Sequence, residues 1–122
     1  MKFLLIMHIN PAIMEELTED ERQEIMDGHG TFMKTIRESG EMIGTEALAD
    51  PSQSSVIRVR DGVPVVTDGP YLEAKEFLGG YYLVDVASRD RALELAAMIP
   101  DARFNGLGIK VRQVIFSGGP TA

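Results

Sequence analysis

Apolar residues recur along this chain with two different periods, and the changes of period predict the order of its strands and helices. Residues 2–9 are a nearly continuous apolar run, which is typical of a buried strand. After this run, Thr18 and Glu21 have the spacing of a capping box, the sequence signature of a helix start. Apolar residues then recur at the helical period up to Gly40, namely Ile25, Phe32, Met33 and Ile36, and His29 lies on the same stripe. The sequence therefore predicts a buried first strand followed by a long helix.

A hairpin is predicted in the middle of the chain. Asp61 and Gly62 separate two runs rich in β-branched residues, at 56–60 and 63–67, and an Asp-Gly pair in this position is a strong hairpin signal. Pro64 lies within the second run and has no N–H to donate. Its strand is therefore expected at the edge of a sheet or with a bulge.

Three further strands and a second helix complete the predicted set. The strands are expected over residues 41–48, 80–86 and 108–116. Ser88 can cap a helix over residues 89–99, and its predicted sheet-facing positions are Ala92, Leu95, Ala96 and Ile99. The chain thus alternates strand, helix, strand, hairpin, strand, helix and strand.

This order predicts an α+β fold of the ferredoxin-like kind with an inserted β-hairpin. Without the hairpin, two βαβ halves remain, and their two helices would cover one face of a single sheet. The uncovered face would be apolar, and a second copy of the chain could bury it, so a homodimer is expected. The length fits one domain over residues 1–116, with residues 117–122 as a loose C-terminal tail.

Composition narrows the classes of function. The formal net charge is −7 and the basic residues are scattered, which argues against nucleic-acid binding. No apolar run approaches the about 18 residues of a membrane span, and the first strand lacks a cleavage site, so a cytoplasmic protein is expected. With no cysteine and two histidines, neither a metal site nor another cofactor is predicted.

The segment over residues 67–82, with sequence TDGPYLEAKEFLGGYY, contains more charged residues and glycines than a simple connection between strands requires. Asp68, Gly69 and Pro70 can end a strand and start a short helical turn, which is expected over residues 70–78 and would stop at Gly79. Such a loop is a candidate for carrying function.

This segment resembles the signature of the DGPF-motif proteins, a branch of the YCII-related family, with Tyr71 in place of the usual Phe. The resemblance extends more loosely to residues 1–7, 58–62 and 92–100. It implies a ferredoxin-like fold whose sheets pair into a dimeric α+β barrel. It also implies a possible accessory role, because DGPF-motif proteins resemble partners that are encoded or fused with alternative sigma factors.

His29 is the leading catalytic candidate. A neutral imidazole on the sheet-facing stripe can accept or donate a proton, and Gly28 and Gly30 leave space beside it. The alternative is a core histidine bonded to a neighbour, the commoner role on an apolar helix face. In other YCII-related proteins, a helix histidine is thought to act with an aspartate at the end of the first strand, in lyase-type chemistry such as dehydrochlorination. Here that strand ends without an acid, and Asp68 is the predicted replacement.

The predicted pocket lies between the long helix, the sheet and the 67–82 segment. Six side chains are expected to bind a small organic molecule there: Lys75, Tyr71, Glu73, Tyr81, His8 and Asn10. Alternatively, Asp68 only caps the turn, residues 73–76 are solvated, and the tyrosines belong to the core or the dimer interface. The sequence predicts ligand binding, with lyase or isomerase-type proton transfer as a possible activity. A regulatory or accessory module and a dimeric scaffold without turnover are the alternatives.

Overall fold

The computed structural model describes residues 1–69 and 76–120. Six strands are present in this part of the chain: β1 (Lys2–Ile9), β2 (Met42–Ala47), β3 (Ser55–Arg60), β4 (Val63–Asp68), β5 (Phe77–Asp85) and β6 (Ile109–Gln113). The described helices are α1 (Pro11–Glu16), α2 (Glu19–Glu38) and α3 (Arg89–Met98), with short helical turns at Pro51–Gln53 and Pro100–Arg103.

Four strands form an antiparallel sheet in the order β2-β5-β1-β6. This order, with the two longer helices packed against one face, agrees with the predicted ferredoxin-like plan. The helix-side core holds the following buried side chains: Phe3, Leu5, Phe32, Ile36, Tyr82, Val84, Val86, Ala92, Leu95, Ala96 and Ile99. All four positions predicted to face the sheet from the second long helix are among them.

The predicted start of α2 is confirmed by its hydrogen bonds. The Thr18 hydroxyl accepts a bond from the Glu21 N–H at 3.1 Å, and the Glu21 carboxylate accepts one from the Thr18 N–H at 2.9 Å. The capping box therefore satisfies donors that a helix otherwise leaves unpaired. The first strand also has its predicted bounds.

The hairpin forms a separate two-stranded sheet of β3 and β4. Asp61 and Gly62 both have positive φ, which is the geometry that an Asp-Gly hairpin turn requires. Pro64 lies opposite Val59, in a strand that pairs with β3 alone in the described part of the chain. The pairing of Ile57 with Val66 and of Val59 with Pro64 puts four apolar side chains on one side of this hairpin. We call this side the hairpin face.

The sequence did not predict α1, although Asn10 caps it and Pro11 occupies its first turn, as such residues commonly do. The helix has six residues and buries none of them, so it lacks an apolar period by which it could be recognised.

Two other predicted boundaries are wrong. Phe77 and Leu78 already belong to β5, because they pair with Ile9 and His8, so the expected helical turn does not continue to residue 78. Residues 70–75 of that turn lie outside the described part. The last strand ends at Gln113 rather than Phe116, since its pairing partner β1 begins at Lys2. Phe116 is accordingly 82% exposed.

The second face of the four-stranded sheet carries alternate residues of the same strands. Leu4 and Ile6 of β1 lie opposite Leu83 and Tyr81 of β5, and all four are only half-buried. We call this side the open face. Their partial exposure contrasts with Phe3 and Leu5 on the helix side, which are 1% and 0% exposed. None of the described helices is both long and apolar enough to cross a membrane.

Candidate functional site

Three polar side chains from three different elements meet on the helix side of the sheet. His29 of α2 lies between Tyr82 of β5 and Asp101 of the turn Pro100–Arg103. The Nδ1 atom of His29 is 2.7 Å from the Tyr82 hydroxyl, and its Nε2 atom is 2.7 Å from the Asp101 Oδ1 atom. We call these residues the polar triad.

The position of Asp101 depends on a close approach of the Pro100 ring to the backbone of α2 at Gly28. A Cβ atom at Gly28 would lie 2.8 Å from Pro100 Cγ, a distance at which one of the two segments would have to move. The absence of a side chain at Gly28 therefore lets the turn Pro100–Arg103 pack against α2. Asp101 follows Pro100 directly and so reaches the imidazole of His29, one residue beyond Gly28 on the helix.

Tyr82 contacts His29 at Nδ1, the ring nitrogen that does not bind Asp101. Its ring contacts Phe32 edge-on at 4.8 Å between centroids and stacks on His29 at 5.8 Å. Burial, and then the charge of Asp101, raise the pKa of Tyr82 to about 12. The hydroxyl is therefore protonated at neutral pH and can donate to Nδ1 while the Nε2–H of a neutral ring donates to Asp101.

The polar triad can accommodate a proton on His29. Asp101 is 7% exposed, so its carboxylate interacts with the imidazole at a site with little water to screen it. If the ring takes up a proton, Nε2–H still donates to Asp101, and the Tyr82 oxygen can accept from Nδ1–H. The His29 side chain is 22% exposed. A Cβ atom at the neighbouring Gly30 would meet nothing within 4 Å, which leaves open space beside the helix.

Asp68, the predicted acid, lies elsewhere. It is exposed at the end of β4 and accepts a hydrogen bond from the Ser55 hydroxyl at 3.0 Å. The carboxylate in contact with His29 is that of Asp101 instead. Sequence analysis missed Asp101 because its separation from His29 is 72 residues. One weak signal was available in the sequence. Asp101 directly follows Ile99 and Pro100, which end the predicted helix and are both buried in the structure.

The other predicted binding residues do not gather around His29. Asn10 accepts a bond from the Ala12 N–H at 3.1 Å and so caps α1. Tyr81 lies on the open face, since neighbouring residues of a strand point to opposite sides and Tyr82 is in the helix-side core. His8 is also on the open face, and it lines a cavity together with Ile6. Tyr71, Glu73 and Lys75 lie outside the described residues, so their predicted roles stay predictions.

Within the described residues, no group of three or more His, Cys, Asp or Glu side chains is placed to hold a metal ion. The contacts of the polar triad themselves offer hydrogen bonding and proton transfer by side chains.

Comparison with known proteins gives a family match over nearly the whole chain. The YCII-related domain matches residues 1–115. An uncharacterized protein of Rhizobium meliloti (strain 1021) is 26% identical over 102 residues, which cover 84% of this chain and 82% of the relative. The family match, over residues 1–115, includes both the helix-side core and the hairpin.

Proposed function

This chain belongs to the YCII-related family, and from that premise we propose that it binds a small organic molecule beside His29 and catalyses a proton transfer of the lyase or isomerase type. The observation that carries the proposal is the polar triad, in which a half-buried imidazole has an acid at 2.7 Å on one nitrogen and a phenol at 2.7 Å on the other. An acid in that position stabilises the imidazolium that forms when a base takes a proton.

The two ring nitrogens have different roles in this proposal. Nε2 stays bonded to Asp101, which fixes the orientation and tautomer of His29. A substrate displaces the Tyr82 hydroxyl from Nδ1 and presents a C–H bond next to a carbonyl group. His29 takes that proton, and the protonated Tyr82 hydroxyl donates a hydrogen bond to the oxygen on which negative charge develops. The proton then returns to another carbon or leaves with a departing group.

Further parts of the proposal concern the surroundings of the site. The narrower DGPF assignment, a homodimer formed through the open face, and a cytoplasmic location are all proposed here. Lys75 is proposed to neutralise an anionic substrate group, with Tyr71 and Glu73 beside it. Asp101 takes the acidic role that the sequence assigned to Asp68, because Asp101 is the acid that contacts His29.

Solvent deuterium exchange tests this function directly. Hydroxylated and halogenated aromatic acids would be incubated with the protein in D2O, and loss of substrate C–H signals and release of halide would be measured. His29→Gln should lower the rate of an accepted substrate by roughly 100-fold or more, since general-base catalysis typically contributes that much. Asp101→Asn should also lower it, whereas the matched change Asp68→Asn should not. An exchange rate that His29→Gln leaves unchanged would refute the proposal.

The hairpin face favours a second candidate, the accessory module. Ile57, Val59 and Val66 on this face are 67%, 63% and 61% exposed, and three neighbouring exposed aliphatic side chains support the proposal of a protein interaction surface here. The proposed partner is an alternative sigma factor. Ile57→Lys with Val66→Lys should abolish co-purification with a co-expressed alternative sigma factor, while His29→Gln should leave it intact. Equal recovery with both variants would exclude this role for the hairpin.

A further inference from the structure

His8, the other histidine of the chain, has buried ring nitrogens without a hydrogen-bond partner in the part of the chain that the structure describes. Both ring nitrogens of His8 are buried, and neither has a partner among the described residues. A buried polar atom without a partner lowers stability, so proteins retain such atoms rarely and commonly for function. Burial, and then the charge of Lys110, lower the pKa of His8, whereas Glu76 opposes this effect. The ring is therefore neutral at pH 7 and offers one donor and one acceptor.

His8 lines two cavities near the edge of the sheet at which β1 pairs with β6. The first has a volume of about 420 Å³, and its wall includes Ile6, Leu78, Lys110 and Arg112. The second has a volume of about 310 Å³ and shares His8 and Lys110 with the first. Volumes of this size suit a small organic molecule. Because the His8 nitrogens are covered, other atoms of this residue face the cavities, and a half-turn of the imidazole would exchange its nitrogen and carbon edges.

Two positive charges border the first cavity. Lys110 lies opposite Ile6 and Arg112 lies opposite Leu4, so both side chains belong to the open face. Neither forms an ion pair with any residue that the structure describes, in a chain whose formal net charge is −7. Glu76 lines the second cavity. An anionic group would therefore be favoured at the Arg112 end of the site and disfavoured near Glu76.

We propose that the β6 edge of the open face, to one side of the central Leu83 through which the homodimer is proposed to form, holds a binding site for a small organic carboxylate. Lys110 and Arg112 bind the carboxylate, and Ile6 and Leu78 pack against an apolar body. A hydroxyl or carbonyl group of the ligand pairs with the turned imidazole of His8. This site lies on the side of the sheet opposite the polar triad, and it does not rest on the proposed proton transfer at His29.

Calorimetric titration with trans-4-hydroxycyclohexanecarboxylate, which is not one of the aromatic acids proposed for the polar triad, tests the site, with the corresponding carboxamide as a neutral probe of the same shape. The carboxylate should bind at least roughly tenfold more tightly than the amide, because charge-assisted hydrogen bonds are about twice as strong as neutral ones. Lys110→Gln and Arg112→Gln should each weaken binding of the carboxylate by roughly tenfold and leave the amide unchanged. His8→Phe should weaken both probes.

Two matched control variants show whether binding depends on this particular pair of charges. Lys2→Gln removes the same charge from the open face at the far end of β1, and it should leave binding unchanged. His29→Gln should also leave it unchanged, so loss of the proposed catalysis and loss of this site are distinguishable. Equal affinity for the two probes, an equal effect of Lys2→Gln and Lys110→Gln, or no binding at millimolar concentration would overturn the proposal.

Discussion

At the scale of single residues, Tyr82 combines a place in the hydrophobic core with a polar contact. It is 2% exposed, and burial raises the pKa of its hydroxyl from 10.0 to about 12. In the unfolded chain the same hydroxyl ionises near its ordinary value. Between these two values the folded state retains a proton that the unfolded state loses, so rising pH favours unfolding.

We expect this linkage to appear as an alkaline loss of stability that depends on Tyr82. Between pH 8 and pH 11, the free energy of unfolding should fall by about 1.4 kcal/mol more in the wild type than in Tyr82→Phe. The variant should have lower stability at pH 8, since it loses the hydrogen bond to His29. Urea unfolding at the two pH values measures both effects. An identical alkaline fall in the two proteins would show that the Tyr82 hydroxyl ionises as readily when folded.

Gly28 and Gly30 provide a matched pair of changes on one helix. Gly28→Ala should destabilise the protein by about 1–3 kcal/mol, because the new methyl group would overlap Pro100. Gly30→Ala should stabilise it by about 0.5–1 kcal/mol, because its Cβ atom meets nothing and alanine favours a helix. Thermal or urea unfolding measures both changes. If Gly28→Ala leaves the free energy of unfolding unchanged, the turn Pro100–Arg103 can move away from α2 without loss of stability.

At the scale of secondary-structure elements, one ion pair fastens α3 to the residue that precedes β2. The Arg91 guanidinium donates to both carboxylate oxygens of Glu41, at 3.0 and 2.9 Å. These hydrogen bonds from Arg91 are the main cause that lowers the pKa of Glu41 below its usual value. A paired geometry with two bonds fixes direction as well as distance. The pair therefore helps to set the position of α3 against the edge of the sheet.

The lowered pKa of Glu41 predicts that its pairing with Arg91 contributes to folding stability at neutral pH and that acid removes this contribution. A lowered pKa in the folded state gives stability that is present above the ordinary Glu pKa of 4.5 and is lost as pH falls through the lower folded value. Glu41→Gln should therefore cost about 1.5 kcal/mol at pH 7 and progressively less below pH 4.5. Urea unfolding at pH 7 and about pH 3 tests this, with exposed Glu38→Gln as the control. If the free energies of unfolding of the wild type and Glu41→Gln differ by the same amount at both pH values, the pairing with Arg91 is contradicted.

Local patterns predicted those elements whose side chains face the core at regular spacing. The start of α2 has a capping box and α3 has three buried positions, with buried Ile99 directly after it, and both helices were predicted from the sequence. The short α1 was missed because it buries no side chain. The polar triad was found only in part. His29 stands out on its stripe, but its separation from Tyr82 is 53 residues, and from Asp101 it is 72 residues. Such pairs depend on how the elements pack, and no local period encodes them.

At the scale of the whole molecule, the chain has one well-covered sheet face and one half-buried face. Leu83 lies at the centre of the open face, between Leu4 of β1 and Gly44 of β2. Burial of such a face against a second copy would remove apolar surface from water. This is the physical basis of the proposed homodimer.

A substitution at the centre of the open face should separate the copies. We expect the wild type to sediment as a dimer and Leu83→Arg to sediment as a monomer, because an arginine cannot be buried there without a partner. Leu93→Arg is the matched control, since Leu93 is 42% exposed on α3. Circular dichroism would verify that both variants remain folded. A monomeric wild type, or a dimeric Leu83→Arg, would contradict pairing through this face.

The sheet also divides the two histidines of this chain between its opposite sides. Each imidazole has a Cε1 proton whose magnetic resonance is well separated from the crowded aliphatic region, so an unlabelled sample should give two such signals. A molecule that enters beside the polar triad would shift the signal of His29, and one that settles on the open face would shift that of His8. The protein thus carries an intrinsic pair of spectroscopic reporters, one for each side, which can assign the location of any bound compound without an added label.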